Sequence, residues 1–431
     1  MGLRPLARLA AGPVPTFVVP GRGGRRAADD LRLDGRLRLV DSPRAAAVLL
    51  VAGTLTDRLL PAAMLAHDQI PGPRATVQWV PEGRRDRLAG TFSAPVLLRG
   101  DVDVGAAVAA TYRELLAGDR PSDPPVYPDV PPAPWRGAGP YGQGGKGMSG
   151  GVPYGRPLAG RAPDRDGLEL DRLPLEIGPL FPPFPPGLIL RIDLQGDVVQ
   201  QVAGWENALA FGRPPRDIFR RALREPVALA ELEVARARHH LRWLSGTLRL
   251  HGLPALGLRV LVLARRVGPG DVDAVASLKR KLERSRSLAW ATRGIATLQP
   301  EDVRDGPGGP VARSAGIRDD LRTEDPAYRG LGFEPLTRGE GDARARWRHR
   351  LAEAVQALEL AGRAGDRLVE AAGGVESPRG ALRIGGSPSA DLLSRLPALL
   401  PGREWGEAVA LVHDLDLDME EAVRAAREEA A

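Results

Sequence analysis

The sequence predicts an α/β N-terminal domain with a parallel sheet, followed by an α+β domain with a helical-bundle core. Three observations predict it. Residues 47–52, AVLLVA with its leading alanine, form an unbroken apolar run of strand length, as a strand buried on both faces requires. Residues 187–202, GLILRIDLQGDVVQQV, read as strand pieces around a Gln195-Gly196-Asp197 turn. Residues 228–250, 271–298 and 341–372 read as helices.

The elements follow in order. In the first domain, residues 1–118, the strands are expected at 38–40, 47–52 and 75–80. Helices are expected at 53–70, with Thr54 or Thr56 as N-cap, and at 104–116. Strand, helix, strand implies parallel pairing through a right-handed crossover. Residues 119–163 read as a linker, with a stiff proline stretch and then a flexible glycine stretch, long enough to lie along a neighbouring surface. Within it, GQGGKGMSGG departs from the phosphate-loop pattern: Gly147 follows Lys146, and no strand precedes it. The second domain spans 164–431. Strand-like pieces in 175–202 lead into the helix at 228–250, whose Leu229, Leu232, Leu241, Leu244 and Leu248 fall mostly at helical spacing. Trp347, Leu351, Val355 and Leu358 share one face of the last long helix, and such helices pack as a bundle. A short strand at 380–384 and helices at 389–400 and 419–429 close the chain.

Composition excludes several classes of function. The formal net charge is +6, and the only lysines are Lys146, Lys279 and Lys281. Acidic residues are interleaved throughout and no compact basic block stands out, which disfavours a nucleic-acid partner. The N-terminal apolar residues are interrupted by Gly12, Pro13 and Pro15, unlike a signal peptide. No stretch approaches the ~20 apolar residues of a membrane-spanning helix. The chain has no cysteine, which removes disulfides, most zinc sites and any thiolate-held iron–sulfur cluster.

Two sets of motifs carry a resemblance. Ser42, Pro43, Arg44, then Val51, Ala52, Gly53, Thr54, then Gln69, Pro71 and Pro73 resemble the small B subunit of respiratory complex I and the related small subunits of membrane-bound hydrogenases. Further on, GPLFPPFPPG, GPVARSAGIRDDLR and VESPRG resemble the complex I D subunit and its [NiFe]-hydrogenase large-subunit counterpart. The resemblance implies a fusion of a small-subunit-type and a large-subunit-type domain, both lacking cofactor ligands. Where the B-type family ends a strand at a cysteine element, this chain reads WVPEGRRDRL. Where the D-type family holds a quinone head group with histidine and tyrosine, Phe181 stands in the histidine position and residues 213–226 contain no tyrosine.

The expected function is a cluster-free, non-catalytic or accessory subunit of a complex-I-like membrane assembly, acting as a docking or coupling module. The alternative is a quinone-binding oxidoreductase subunit fed by a cluster on another chain. Expected partners are membrane-embedded complex-I or antiporter-like subunits and other peripheral subunits. The expected location is cytoplasmic, peripheral to the inner face of the cell membrane. No metal or resident cofactor is expected. Gly178, Pro179, Phe181, Phe184 and Gly187 are the candidate lining of a residual quinone or lipid pocket. Gly309, Arg313, Gly316, Asp320 and Arg322 form a candidate structural turn, in which Arg313, Asp319, Asp320 and Arg322 are set to form a buried ion-pair network. His239 and His240 are adjacent on a helix, so their side chains diverge and suit packing better than metal binding. The acidic run Asp414, Asp416, Asp418, Glu420 reads as a solvated face.

Overall fold

The structure, a computed structural model, describes residues 12–80, 91–93, 95–128, 160–163, 167–210, 217–370 and 373–422. The phosphate-loop-like segment, most of the linker and most of the expected final helix lie outside the described residues.

The first half is built from β1 (Val14–Pro20), α1 (Arg25–Asp30), β2 (Leu37–Leu39), β3 (Val48–Ala52), α2 (Leu60–Gln69), β4 (Ala75–Val80), β5 (Val96–Arg99) and α3 (Val104–Ala117). The strands form a sheet of order β2-β1-β3-β4-β5, parallel throughout. All five residues of β3 are fully buried at the sheet centre, which is why that strand reads as an unbroken apolar run. Asp103 caps α3 by accepting from the Ala106 N–H, and Gly118 ends it in a left-handed conformation. The helix expected from residue 53 begins about two turns later, at Leu60. The Thr56 hydroxyl accepts from the Leu59 N–H in a turn before the helix, and Pro61 sits in its first turn. β1 is not among the expected strands, because its two prolines and its short VVP end mask the period. Among the described linker residues, the Val126 and Tyr127 N–H groups donate to the Asp68 carboxylate, laying the chain along α2.

The second half opens with an antiparallel sheet of β6 (Arg161–Pro163), β7 (Glu169–Ile177), β8 (Leu188–Gln195) and β9 (Val198–Asn207). Gly196 turns the β8–β9 hairpin at the expected place with φ +58°. After α4 (Ile218–Ala222) and β10 (Val227–Ala228) come α5 (Leu229–Leu250), α6 (Pro254–Arg266), α7 (Val272–Glu283), α8 (Arg286–Thr292), α9 (Pro300–Val303), α10 (Gly309–Ser314) and α11 (Ala343–Arg363). The long helix expected over 271–298 is broken in two, because Ser285 leaves the helical path and caps α8. The last long helix ends at Arg363, and β11 (Leu368–Val369) pairs with β10. The chain closes with β12 (Val375–Ser377), β13 (Gly380–Leu382), α12 (Pro388–Leu393), α13 (Leu396–Leu399) and α14 (Trp405–Asp414).

α5, α6, α7 and α11 share one core around Leu241, Leu244, Trp347, Leu351 and Leu358. A second core joins the two halves: Phe17, Leu49, Leu59 and Ile70 pack in one cluster with Phe184, Leu188, Leu190, Leu411 and Met419. The halves are therefore not independent beads on a linker. Burial of this apolar surface, at roughly 25 cal/mol per Å2, holds them together.

Candidate functional site

In an open parallel sheet, ligands settle beyond the carboxyl ends of the strands, where the strand order reverses. Here that crevice lies between β1 and β3. The loop after β1 folds back tightly: Gly21 N–H donates to the Ala52 carbonyl, and a Cβ at Gly24 would stand 1.8 Å from that same oxygen. The crevice is filled by the second half of the chain. The Gly23 N–H donates to both Glu420 carboxylate oxygens, at 2.8 and 3.0 Å. Arg22 donates to the Leu209 carbonyl at 2.6 Å, and Arg25 to the Leu417 carbonyl at 2.9 Å. The Thr56 hydroxyl donates to the Ala208 carbonyl.

Beside this junction lies a cavity of about 450 Å3 between the two halves. Phe17, Val18, Leu180 and Phe181 supply an apolar wall; Arg379 and Glu421 are among its polar lining. Of the candidate pocket residues, Pro179, Phe181 and Phe184 line it. Gly178 and Gly187 do not; they shape the loop. Gly178 has φ +110°, and a Cβ there would lie 1.9 Å from the Leu188 carbonyl oxygen. Phe184 is 4% exposed and belongs to the joint core, with its ring edge-on to Phe181 at 5.0 Å. Trp405 closes this aromatic cluster, 6.0 Å from both rings.

The candidate turn is a separate construction. Gly309 begins α10 with φ +72°, and a Cβ there would meet the Arg379 carbonyl oxygen at 2.5 Å. This close approach brings VESPRG against the turn. Arg313, fully buried, pairs with Asp320 at 2.9 Å, Glu353 at 2.8 Å and Glu376 at 2.8 Å. Asp319 contributes its backbone carbonyl to Arg313 rather than its carboxylate. Arg322 pairs with Asp320 at 2.7 Å and Glu353 at 3.2 Å. Gly316 supplies the backbone reversal with φ +97°.

Glu353 extends the network in the other direction. Its carboxylate lies 3.2 Å from His240 Nε2 and 3.5 Å from His349 Nε2. Arg350 approaches His240 at 3.4 Å and Asp416 at 3.1 Å. Asp416 accepts from His239 at 2.6 Å, and its backbone carbonyl accepts from Arg379 at 2.7 Å. Arg379 then reaches Asp418 at 3.4 Å and Glu421 at 3.3 Å. The turn and the cavity are thus joined by one line of buried charges.

This geometry corrects the reading of the acidic run as a solvated face. Asp414, Asp416 and Glu420 are buried, as are Leu415 and Leu417. The physical reason is a set of inward-facing cations, with Arg346 on Asp414 at 2.8 Å and Arg350 and Arg379 on Asp416. Sequence reasoning missed these arginines. Arg346, Arg350 and Glu353 recur at i, i+4 and i+7 beside the Trp347–Leu351–Leu358 stripe, and that spacing is the signal that places them on an inner face. His239 and His240 diverge to different carboxylates, and among the described residues no group of three His, Cys, Asp or Glu is arranged to hold a metal ion.

Burial works to raise the Glu353 and Asp416 carboxyls, but Arg313 and His349 hold the first, and His239 and Arg379 the second, well below the usual carboxylate range. Burial pushes Glu421 up to about 7, against the pull of Arg379. It pushes His239 and His413 down to about 4 and His240 down to about 3. These shifts set a pH dependence. The unfolded chain takes up three histidine protons near pH 6.5 that the folded chain refuses until pH 4 or 3. Histidine stabilisation is full above pH 6.5 and falls below it, by up to about 1.4 kcal/mol per group per pH unit. Glu421 has the opposite sign, since its folded pKa lies above the ordinary 4.5 and its share grows as pH falls through 7. Burial lowers His251 and His349 as well and raises Glu376 and Asp325, so among the described residues five lowered histidines face three raised carboxyls and the net effect is a loss of stability as pH falls from 7 to 5. Urea midpoints at pH 7 and pH 5 check this, with the lower midpoint expected at pH 5.

Residues 272–385 match the family described as "Respiratory-chain NADH dehydrogenase, 49 Kd subunit". A D-type NADH-quinone oxidoreductase subunit of Rhizobium etli is 33% identical over 109 residues, 25% of this chain and 27% of that protein. A D-type NADH-quinone oxidoreductase subunit of Streptomyces coelicolor is 42% identical over 93 residues, 20% of this chain and 24% of that protein. The chain thus spans about a quarter of the length of these relatives. A chain of the archaeal membrane-bound sulfane sulfur reductase aligns in structure with a TM-score of 0.42 and 18% identity, over 59% of this chain and 99% of that one. The segment that holds the Arg313 turn, α11 and VESPRG lies within residues 272–385 and is therefore similar to the 49 Kd subunit of respiratory-chain NADH dehydrogenase.

Proposed function

We propose that the chain is a cluster-free subunit of a complex-I-like membrane assembly, serving as a docking or coupling module rather than as a redox centre. The observation that carries this is the D-type segment at 272–385 in a chain of 431 residues without one cysteine. Thiolates are what hold iron–sulfur clusters, so electrons have no cluster to rest on within this sequence. The Arg313 turn supports the reading, because its buried charges are paired with one another. The N-terminal half is read as a B-type domain fused to its D-type neighbour; its parallel sheet, and the core it shares with the second half, are compatible with that. Fusion fixes the ratio of the two and gives each a high effective concentration for the other. The assembly would hold it at the inner face of the membrane. No helix among the described residues is long and apolar enough to cross a membrane.

The test is metal content. Purified with its membrane partners and then resolved from them, the chain is expected to carry no iron and no iron–sulfur paramagnetic signal. Iron stoichiometric with this chain refutes the proposal.

A second reading, a quinone-binding subunit fed by a cluster on another chain, is favoured by one feature. The cavity combines an aromatic and aliphatic wall with Arg379 and Glu421, and a carboxyl of pKa about 7 is suited to exchanging a proton near neutrality. A photoreactive quinone labelling the 179–186 peptide, with competition by unlabelled quinone, would move the assignment to this reading.

A further inference from the structure

The break between α7 and α8 creates a surface that the even distribution of charge along the sequence conceals. Within KRKLERSRSLAWATR, residues 279–293, six of the seven charges are positive, and two of the chain's three lysines fall there. The single acid, Glu283, lies 3.6 Å from Lys279 and 3.7 Å from Arg348. Arg280, Lys281, Arg284, Arg286 and Arg293 are all exposed. None of these five makes a side-chain hydrogen bond or ion pair among the described residues. Between them stands Trp290, 86% exposed and the most exposed large apolar side chain described.

Helix electrostatics account for part of this. Arg280 and Lys281 lie in the last turn of α7, where a cation suits the helix dipole. Arg286 does not fit that account. It is the first residue of α8, where a cation is unfavourable, and nothing in α8 needs Trp290 in water. An exposed tryptophan carried on the same fifteen-residue segment as five exposed, unpaired cations has the chemistry of an interfacial anchor. The indole settles at headgroup depth while the guanidinium groups meet lipid phosphates.

We propose that the α7–α8 elbow, through Trp290 with Arg280, Lys281, Arg284, Arg286 and Arg293, is a docking surface for an anionic lipid bilayer. This stands independently of the assembly proposed above. That assembly can exist through protein contacts alone, and the elbow can bind lipid whatever the partners are.

The experiment is co-sedimentation of the full chain with phosphatidylcholine vesicles, with and without phosphatidylglycerol. Binding is expected only with phosphatidylglycerol and weakens as salt is added. At about fivefold per cation beside an anionic surface, the Arg284→Ala, Arg286→Ala double variant should bind roughly twentyfold more weakly. Trp290→Ala should weaken binding on its own. All three side chains are exposed, so the thermal midpoint should not move and folding is checked separately. Equal binding to both vesicles, no binding by the unaltered chain, or undiminished binding by folded double variant and Trp290→Ala overturns the proposal.

Discussion

Glu353→Ala is expected to cost about 3–5 kcal/mol, enough to unfold a protein of ordinary stability. The reason lies in what remains. Arg313 and Arg322 are each no more than 2% exposed, and both pair with this carboxylate. Removing it takes one anion from a region that water cannot enter, and leaves guanidinium charge uncompensated. Glu353→Gln keeps the volume and an accepting oxygen, so it should cost less than Ala while remaining destabilising. Urea denaturation of the three proteins at one pH reads the order: unaltered chain, then Gln, then Ala. A loss below about 1 kcal/mol for Ala would mean that Asp320 and Glu376 suffice for the two arginines, and that the network is not held at Glu353.

Trp347→Ala is the second large effect, about 3–5 kcal/mol. The indole is fully buried in the helical core, and its N–H donates to the Thr292 hydroxyl at 3.1 Å. It is the hydrogen bond that ties the end of α8 to α11. Cavity formation and a buried hydroxyl without its donor add in the same direction. The expected result is a lower midpoint in thermal unfolding, together with faster amide exchange in 286–292 than in α5. Trp347→Phe refills most of the volume without the N–H, so it separates the packing share from the hydrogen-bond share.

Much of the fold is legible where one local signal dominates. β3 is apolar on both faces because it is central. α3 begins at an aspartate cap and ends at a glycine, and α5 shows its leucines at helical spacing. Legibility fails where tertiary contacts override local pattern. Ser285 divides a continuous helical pattern, and the loss is visible only once its hydroxyl is seen capping α8. The ion pairs of the Arg313 turn are partly readable from nearby residues, but Glu353 and Glu376 come from 40 and 63 positions further along. The acidic run misleads because its cations sit on α11 and in VESPRG, and interior charge looks like surface charge in a sequence. The pocket loop is identified through Phe181 and Phe184. That its second wall comes from β1 depends on how the halves meet.

The carboxylate of Glu420 seated on the Gly23 amide carries a last consequence, for the order of assembly. The mouth of the parallel sheet is corked by a residue nearly four hundred positions downstream, which a ribosome delivers long after the sheet has emerged. Glu420 and Gly23 also line the neighbouring cavity, so that cavity has its full wall only after the tail has taken its seat.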